Sequence, residues 1–218
     1  MLTRLQVQPT SSGSSAEGRA RPLTTLLFQS ITITSLFGAA IGYGVMTLLM
    51  TATPISMHVH NGFSLGETKG VIQAHLIAMF LPSFFTGRLV ARFSGKPMLL
   101  IGIVANMLAV VAAVHGQTLT HFTIALVLLG IGWNLLYIAS TTLLSKSCRP
   151  AERYRVQATN DFAVFSFQTF ASLGARFLVI LVGWERLALS LAAPLDGFLA
   201  LLAVYWLRAN RMDKVSPA

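Results

Sequence analysis

The chain has 218 residues, of which 54% are hydrophobic and 11% charged, with a mean hydropathy of +0.68. A soluble domain carries about 25% charged residues, so the composition excludes that class and marks an integral membrane protein. The net charge of +9 has to be weighed against membrane topology before any nucleic-acid partner is invoked, and the single cysteine, Cys148, excludes an internal disulfide and any cysteine-built metal site.

Residues 1–22 are polar, with Ser11, Ser12, Gly13, Ser14, Ser15, Gly18, Arg19 and Arg21 ahead of Pro22. Such a composition predicts a disordered leader or the remnant of a linker. A transit peptide is the weaker alternative, resting on frequent Ser and Arg with Glu17 as the only acid. The first long apolar run begins beyond residue 22 and exceeds the h-region of a cleaved signal peptide.

Six segments then approach the ~20 apolar residues that cross a bilayer as a helix: 26–53, 71–92, 97–115, 119–145, 156–182 and 187–207. The predicted fold class is all-α integral membrane, with a six-helix transmembrane bundle over 23–210 and a short cytoplasmic tail over 211–218. In the first segment Gly38, Gly42 and Gly44 offer close approach to a neighbouring helix. Pro54 is expected to end or bend that helix, and Pro82 to break the second.

Lys and Arg set the orientation. Thirteen basic residues fall in the leader (Arg4, Arg19, Arg21), the second-to-third connection (Arg88, Arg92, Lys96), the fourth-to-fifth (Lys146, Arg149, Arg153, Arg155) and the tail (Arg208, Arg211, Lys214). The opposite side has only Lys69 and Arg186. Both termini are therefore expected in the cytoplasm. The lipid bilayer accounts for the excess charge, and no nucleic-acid partner is implied.

The stretch from Met46 to Met79 carries the chemistry. Met46 and Met50, then His75 and Met79, stand four residues apart inside apolar segments, so each pair shares a helix face with side chains ~5–6 Å apart. Thioether and imidazole together suit Cu(I) better than hard cations. Packing is the competing account for the methionines, since Met98 and Met107 show that the chain uses methionine freely. A histidine in a span usually faces a cavity or a polar partner, here Gln73 or Thr51. Met57, His58 and His60 lie just outside the first span, in a loop where they could collect an incoming cation or simply be solvated. His115 and His121 flank the next outer loop and are expected at the interface.

Asn160 and Asp161 stand at the cytoplasmic end of the fifth span, where Asn160 is expected to cap the helix and Asp161 to favour its dipole. Proton coupling through Asp161 is the alternative. Asp196 falls within the sixth span, where an unpaired carboxylate costs ~2.5–3.5 kcal/mol. Arg176, at comparable depth in the fifth span, is its expected partner across adjacent helices.

Gly87-Arg88-Leu89-Val90-Ala91-Arg92-Phe93-Ser94-Gly95-Lys96 resembles the loop signature of the major facilitator superfamily, G-x-L-x-D-R-x-G-R-K. Gly87, Leu89, Arg92 and Lys96 match; Ala91, Ser94 and Gly95 depart, and the acid missing at Ala91 weakens the family's charge lock there. A closer likeness covers most of 25–210. Met50-Thr-Ala-Thr-Pro54, His75-Leu-Ile-Ala-Met79 with the following Phe80–Gly87, and Gln157–Phe162 resemble the C-terminal half of facilitators of the CcoA-like copper importer clade. That resemblance implies one half of a major facilitator fold, a 3+3 inverted repeat, in a bacterial inner membrane. It also implies a copper pathway along Met46, Met50, His75 and Met79, and a conformational loop at Gly87, Arg92 and Lys96. A complete facilitator has two such halves, so the expected partner is a second six-helix half or another copy of the chain.

No nucleophile–base constellation, catalytic metal motif or phosphate loop occurs, so neither an enzyme nor a nucleotide-driven pump is expected, and no cofactor. Copper enters only as a candidate substrate. The competing expectations are a half-transporter for a small organic solute or drug, with His75 and Asp161 as polar cavity groups, and a non-transporting truncated fragment.

Overall fold

The computed structural model describes residues 21–215, with side chains described over 21–207. The disordered leader or linker remnant expected over 1–22 lies, for residues 1–20, outside the described residues. The elements are α1 (Leu23–Leu27), α2 (Ser30–Pro54) continuing as a π-helical turn (Ile55–His60), α3 (Leu65–Phe80), α4 (Ser83–Phe93), α5 (Gly95–His115), α6 (Leu119–Ser147), a 3₁₀ turn (Pro150–Glu152), α7 (Arg153–Ser190) and α8 (Ala192–Val215). The protein is all-helical over these residues. Five helical runs are long and apolar enough to cross a membrane: Ser30–His60, Leu65–Phe93, Gly95–His115, Leu119–Ser147 and Pro150–Leu207.

The fifth run has 58 residues, about 87 Å if straight at 1.5 Å per residue, nearly three times a ~30 Å hydrocarbon core. It is not straight. Gly183 takes φ 79°, ψ 168°, a backbone state that side chains with a Cβ rarely adopt, and the chain turns there. Just past the turn, the Trp184 indole Nε1–H donates to the Ala113 carbonyl at the end of α5, at 2.9 Å. At the other end of α5, Lys96 Nζ lies 4.8 Å from the centre of the Tyr205 ring. Residues 184–205 therefore run back along the whole of α5. The helix α8 continues to Val215, into the expected tail.

Several boundaries differ from the sequence expectation for identifiable reasons. The second span starts at Leu65 rather than 71, because Ser64 accepts from Glu67 N–H while the Glu67 carboxylate accepts from Ser64 N–H, a reciprocal cap. The α-helical part of the first span ends at Pro54, as expected, but a π turn carries the helical run on to His60. The fifth helix starts at Arg153, so Asn160 and Asp161 lie about two turns inside it and Asn160 is no cap. Gly87 and Arg92 are in α4 and Lys96 in the first turn of α5, so the expected loop between the second and third spans is a tight connection centred on Ser94. Ser94 has φ 70°, a strained state for a residue with a Cβ.

Two large clusters and a small third one, Leu26, Leu144 and Val156, fill the bundle among the described residues. Of the two large ones, one gathers Val45, Leu49, Met57, Val71, Leu126, Val179 and Leu187 around the ends of α2, α3 and α6 that lie near Asn61 and Gln117. The other joins Val90, Leu99, Ile103, Leu136, Phe198 and Leu202 toward the opposite end. Gly38 and Gly42 act as expected: a Cβ at Gly42 would stand 3.2 Å from Leu136 Cβ, and one at Gly38 would meet Ser140 and Phe198. At the basic end, Arg21 joins the bundle through Glu152. The Glu152 carboxylate is fully buried and accepts from Arg21 N–H, Nε and Nη2 and from Arg149 N–H, with the ion pair at 2.8 Å.

Candidate functional site

Four helices converge on a cleft of about 440 Å³, lined by Tyr43, Met46, Thr47, Met50 and Thr51 from α2, Leu76, Met79 and Phe80 from α3, Trp133 from α6, and Gln168 and Ser172 from α7. The volume is within the ~300–1,000 Å³ range of small-molecule sites. The helical repeat explains the α2 wall: 43, 46, 47, 50 and 51 recur at three and four residues, which is one face. Gln168 and Ser172 are likewise one turn apart on α7.

Three of the four candidate pathway residues meet here. Met46 and Met79 are buried and Met50 is partly buried, all on the cleft wall. His75 does not join them. It is fully buried, one turn before Met79, and its ring Nδ1 pairs with the Leu126 carbonyl on α6 at 2.7 Å, not with Gln73 or Thr51. Its Nε2 has no hydrogen-bond partner among the described residues.

Beyond the methionines the wall is aromatic. Tyr43 stands edge-on to Trp133 and to Tyr137, each at 5.1 Å between ring centres. Trp133 and Tyr137 stack at 5.5 Å and 10°, and Phe80 meets Trp133 edge-on at 6.4 Å. Such pairs are worth about 0.5–1.5 kcal/mol each beyond area burial, so the Trp133 ring is held from three sides. Thr47 Oγ1 and Trp133 Nε1 are buried without a protein partner among the described residues. The wall therefore presents thioethers and a fixed aromatic surface, with Thr51, Gln168 and Ser172 among its polar residues.

A stripe on α6 holds this wall in register. Leu126, Gly130 and Asn134, four residues apart, face His75, Met79, Ser83 and Thr86 across the α3–α4 break. Asn134 Nδ2 donates to the Met79 carbonyl at 2.9 Å and to Ser83 Oγ, and Asn134 Oδ1 accepts from Thr86 Oγ1 at 2.6 Å. Pro82 has no N–H to give the helix, and the Asn134 side chain bridges that break. At Gly130 a Cβ would lie 2.8 Å from the His75 carbonyl oxygen, so glycine is what allows α3 to come this close.

The remaining candidates are dispersed. Met57 is fully buried in the core and so is not an exposed collector of cations; it lies in the π turn rather than in a loop. His58 is exposed with Nδ1 paired to the Phe63 carbonyl at 2.8 Å, and His60 is exposed. His115 and His121 are exposed or half-buried, with Nδ1 atoms facing Val111 O and Thr118 Oγ1. Among the described residues no group of three or more His, Cys, Asp or Glu could hold a metal ion. Asn160 is buried and its Nδ2 donates to Asp161 Oδ1 at 3.2 Å. Arg176 and Asp196 form no ion pair: both are exposed, next to inward-facing Ala175 and Leu195. Comparable depth did not bring them together because each points away from its helix's packed face.

Residues 35–218 match the family model of the Major Facilitator Superfamily. The chain belongs to this superfamily. It is thus a multi-pass membrane protein of a transporter family, as its apolar helices require. Among curated facilitators, the riboflavin transporter RfnT of Brucella anthropi is 39% identical over 167 residues, covering 77% of this chain and 42% of that protein. Two uncharacterized MFS-type transporters of Bacillus subtilis are similar: YdeG at 38% identity, covering 76% of this chain and 38% of its own length, and YddS at 35%, covering 74% and 37%. The chain spans about two fifths of the length of these facilitator relatives.

Sequence reasoning identified the three methionines but missed Tyr43, Trp133, Asn134, Tyr137 and Gln168. Trp133 and Tyr137, four residues apart in one span with Asn134 beside them, were the available signal.

Proposed function

We propose that the chain is one six-crossing half of a secondary transporter, and that its cleft binds a small planar heteroaromatic solute of the flavin class. The observation that carries this reading is the Trp133 ring, fixed by Tyr43, Tyr137 and Phe80 on the wall of the 440 Å³ cleft. A flat ring is bound well by stacking on a preorganised aromatic face, and the hydroxyl and amide groups of Thr51, Ser172 and Gln168 on the cleft wall can meet its carbonyl and ring nitrogens. The riboflavin transporter among the relatives supports the same class.

In this reading Gly183 separates the fifth and sixth crossings, both termini are cytoplasmic in a bacterial inner membrane, 1–22 is a linker-like leader and 211–218 a tail. The cleft is one wall of a pathway, and a second six-helix half, or another copy of the chain, supplies the other. The ridge Phe162, Phe165, Phe170, Leu173 and Phe177 on α7, exposed beside the Gln168–Ser172 wall, is the surface such a half would cover. Asp161 is kept as a candidate proton-coupling group, and no cofactor is involved.

Copper is the second reading, favoured by one observation: Met46, Met50 and Met79 line the same cleft, and thioethers select Cu(I). Titrating the purified chain in nanodiscs with riboflavin and, separately, with Cu(I) distinguishes the two. Quenching of flavin fluorescence that is lost in Trp133→Ala supports the solute reading. Tight Cu(I) binding lost in Met50→Ala, with no flavin bound, would replace it.

A further inference from the structure

Outside the cleft, an apolar groove of about 640 Å³ lies between α4, α5 and α6, lined by Phe85, Leu89 and Phe93, by Pro97 and Ile101, and by Ile131. Its α4 wall repeats every four residues and so forms one continuous stripe. Helix α4 has 11 residues, about 16 Å at 1.5 Å per residue, close to the depth of one leaflet of a ~30 Å hydrocarbon core. One residue round the helix from that stripe run Arg88 and Arg92, both exposed and without an ion-pair partner among the described residues. The Arg92 guanidinium carbon lies 5.5 Å from the centre of the Phe93 ring, the last ring of the groove. Lys96, next along, is engaged over Tyr205.

A second groove of similar size, about 600 Å³, is lined by Phe37, Ile41, Phe167, Phe198 and Leu201 with no basic side chain on its wall. Neither wall itself carries a basic side chain; what marks the first groove is the pair Arg88 and Arg92 on the adjoining face of α4, with Arg92 over the Phe93 ring. We propose that the α4–α6 groove is a binding site for an anionic phospholipid, with one acyl chain along Phe85, Leu89 and Ile101 and the headgroup phosphate held by Arg88 and Arg92. The apolar length sets the chain, and the paired guanidinium groups at its mouth set the headgroup, since Arg meets phosphate in a bidentate geometry.

The test is competition between phosphatidylglycerol and phosphatidylcholine of identical acyl chains for the purified chain in detergent, read by native mass spectrometry. Each basic side chain beside an anionic headgroup is worth about fivefold in binding. The wild-type chain should therefore retain phosphatidylglycerol over phosphatidylcholine by about five- to twenty-fivefold. Arg88→Gln with Arg92→Gln, both exposed positions that leave the fold intact, should bring the ratio to parity. Ile101→Trp, which fills the groove, should lower retention of both lipids, while Leu201→Trp in the second groove should leave the ratio unchanged. Parity in the wild-type chain, or a preference surviving the double substitution, would overturn the site. So would displacement of the lipid by millimolar inorganic phosphate, which would make it a free-anion site. A dimer that retains no lipid and is broken by Ile101→Trp would make the groove a contact between copies instead.

Discussion

Replacing Asn134 with leucine removes three hydrogen bonds from α6 to the α3–α4 break: to the Met79 carbonyl, Ser83 Oγ and Thr86 Oγ1. Leucine has the same number of side-chain heavy atoms and the same branching at Cγ, so it replaces the amide's polar groups with methyl groups without opening a cavity. Interhelical hydrogen bonds in membranes average about 0.6 kcal/mol, with about 1.7 as the upper end. Three of them give about 2 kcal/mol, roughly a thirtyfold change in the folded-to-unfolded ratio. Because the single Thr86 Oγ1–H is shared between Asn134 Oδ1 and the Pro82 carbonyl, the latter at 2.9 Å, Thr86→Val alone costs something too, and a double-mutant cycle between Asn134→Leu and Thr86→Val is needed. Its coupling should be about 0.6 kcal/mol. Reversible unfolding in mixed micelles with increasing dodecyl sulfate measures both quantities. A loss below about 0.5 kcal/mol for Asn134→Leu would refute the idea that this side chain holds the break together.

Three further outcomes follow from named contacts. Gly130→Ala forces a methyl group to 2.8 Å from the His75 carbonyl oxygen, and overpacking of this kind costs about 1–3 kcal/mol; an unchanged melting temperature in detergent would contradict the close approach. Arg176→Leu and Asp196→Leu should be additive, with coupling no larger than the ~0.3–0.5 kcal/mol expected of independent sites, whereas strong coupling would restore the ion pair the sequence suggested. Glu152→Gln removes the negative charge that receives Arg21, so hydrogen exchange should speed up over 21–28 and 147–152 and stay unchanged around Trp184, at the far end of the bundle; equal protection in both would show that the pair does not anchor the leader.

Apolar run length and the positions of Gly and Pro were enough to anticipate an all-helical membrane bundle, because those signals are local. The errors arose where a tertiary partner or a cap decides. Ser64-x-x-Glu67 was a visible cap that moves the second span's start to Leu65. The Gly87–Lys96 stretch reads as a loop through its resemblance to the family's loop signature, yet most of it is helical, because the turn needs little more than Ser94. For the cleft, four-residue spacing found the methionines on their helix faces but could say nothing of which distant helix they meet. Trp133 and Gln168 join them only through packing of α6 and α7. His75 was a stronger sequence signal than any methionine, but its partner is a backbone carbonyl, which leaves no trace in side-chain patterns. Arg176 and Asp196 were matched by depth, and depth does not specify the direction in which a helix points its side chains.

In the proposed reading the wall built around Trp133 selects the transported solute. Uptake of riboflavin into cells that co-express this chain with a six-span amino-terminal facilitator half tests it most directly. Uptake should require both halves, fall at least about tenfold in Trp133→Ala with protein level unchanged, and be insensitive to copper. Riboflavin uptake unaltered by Trp133→Ala, or copper accumulation that depends on Met46, Met50 and Met79 in place of flavin uptake, would contradict it.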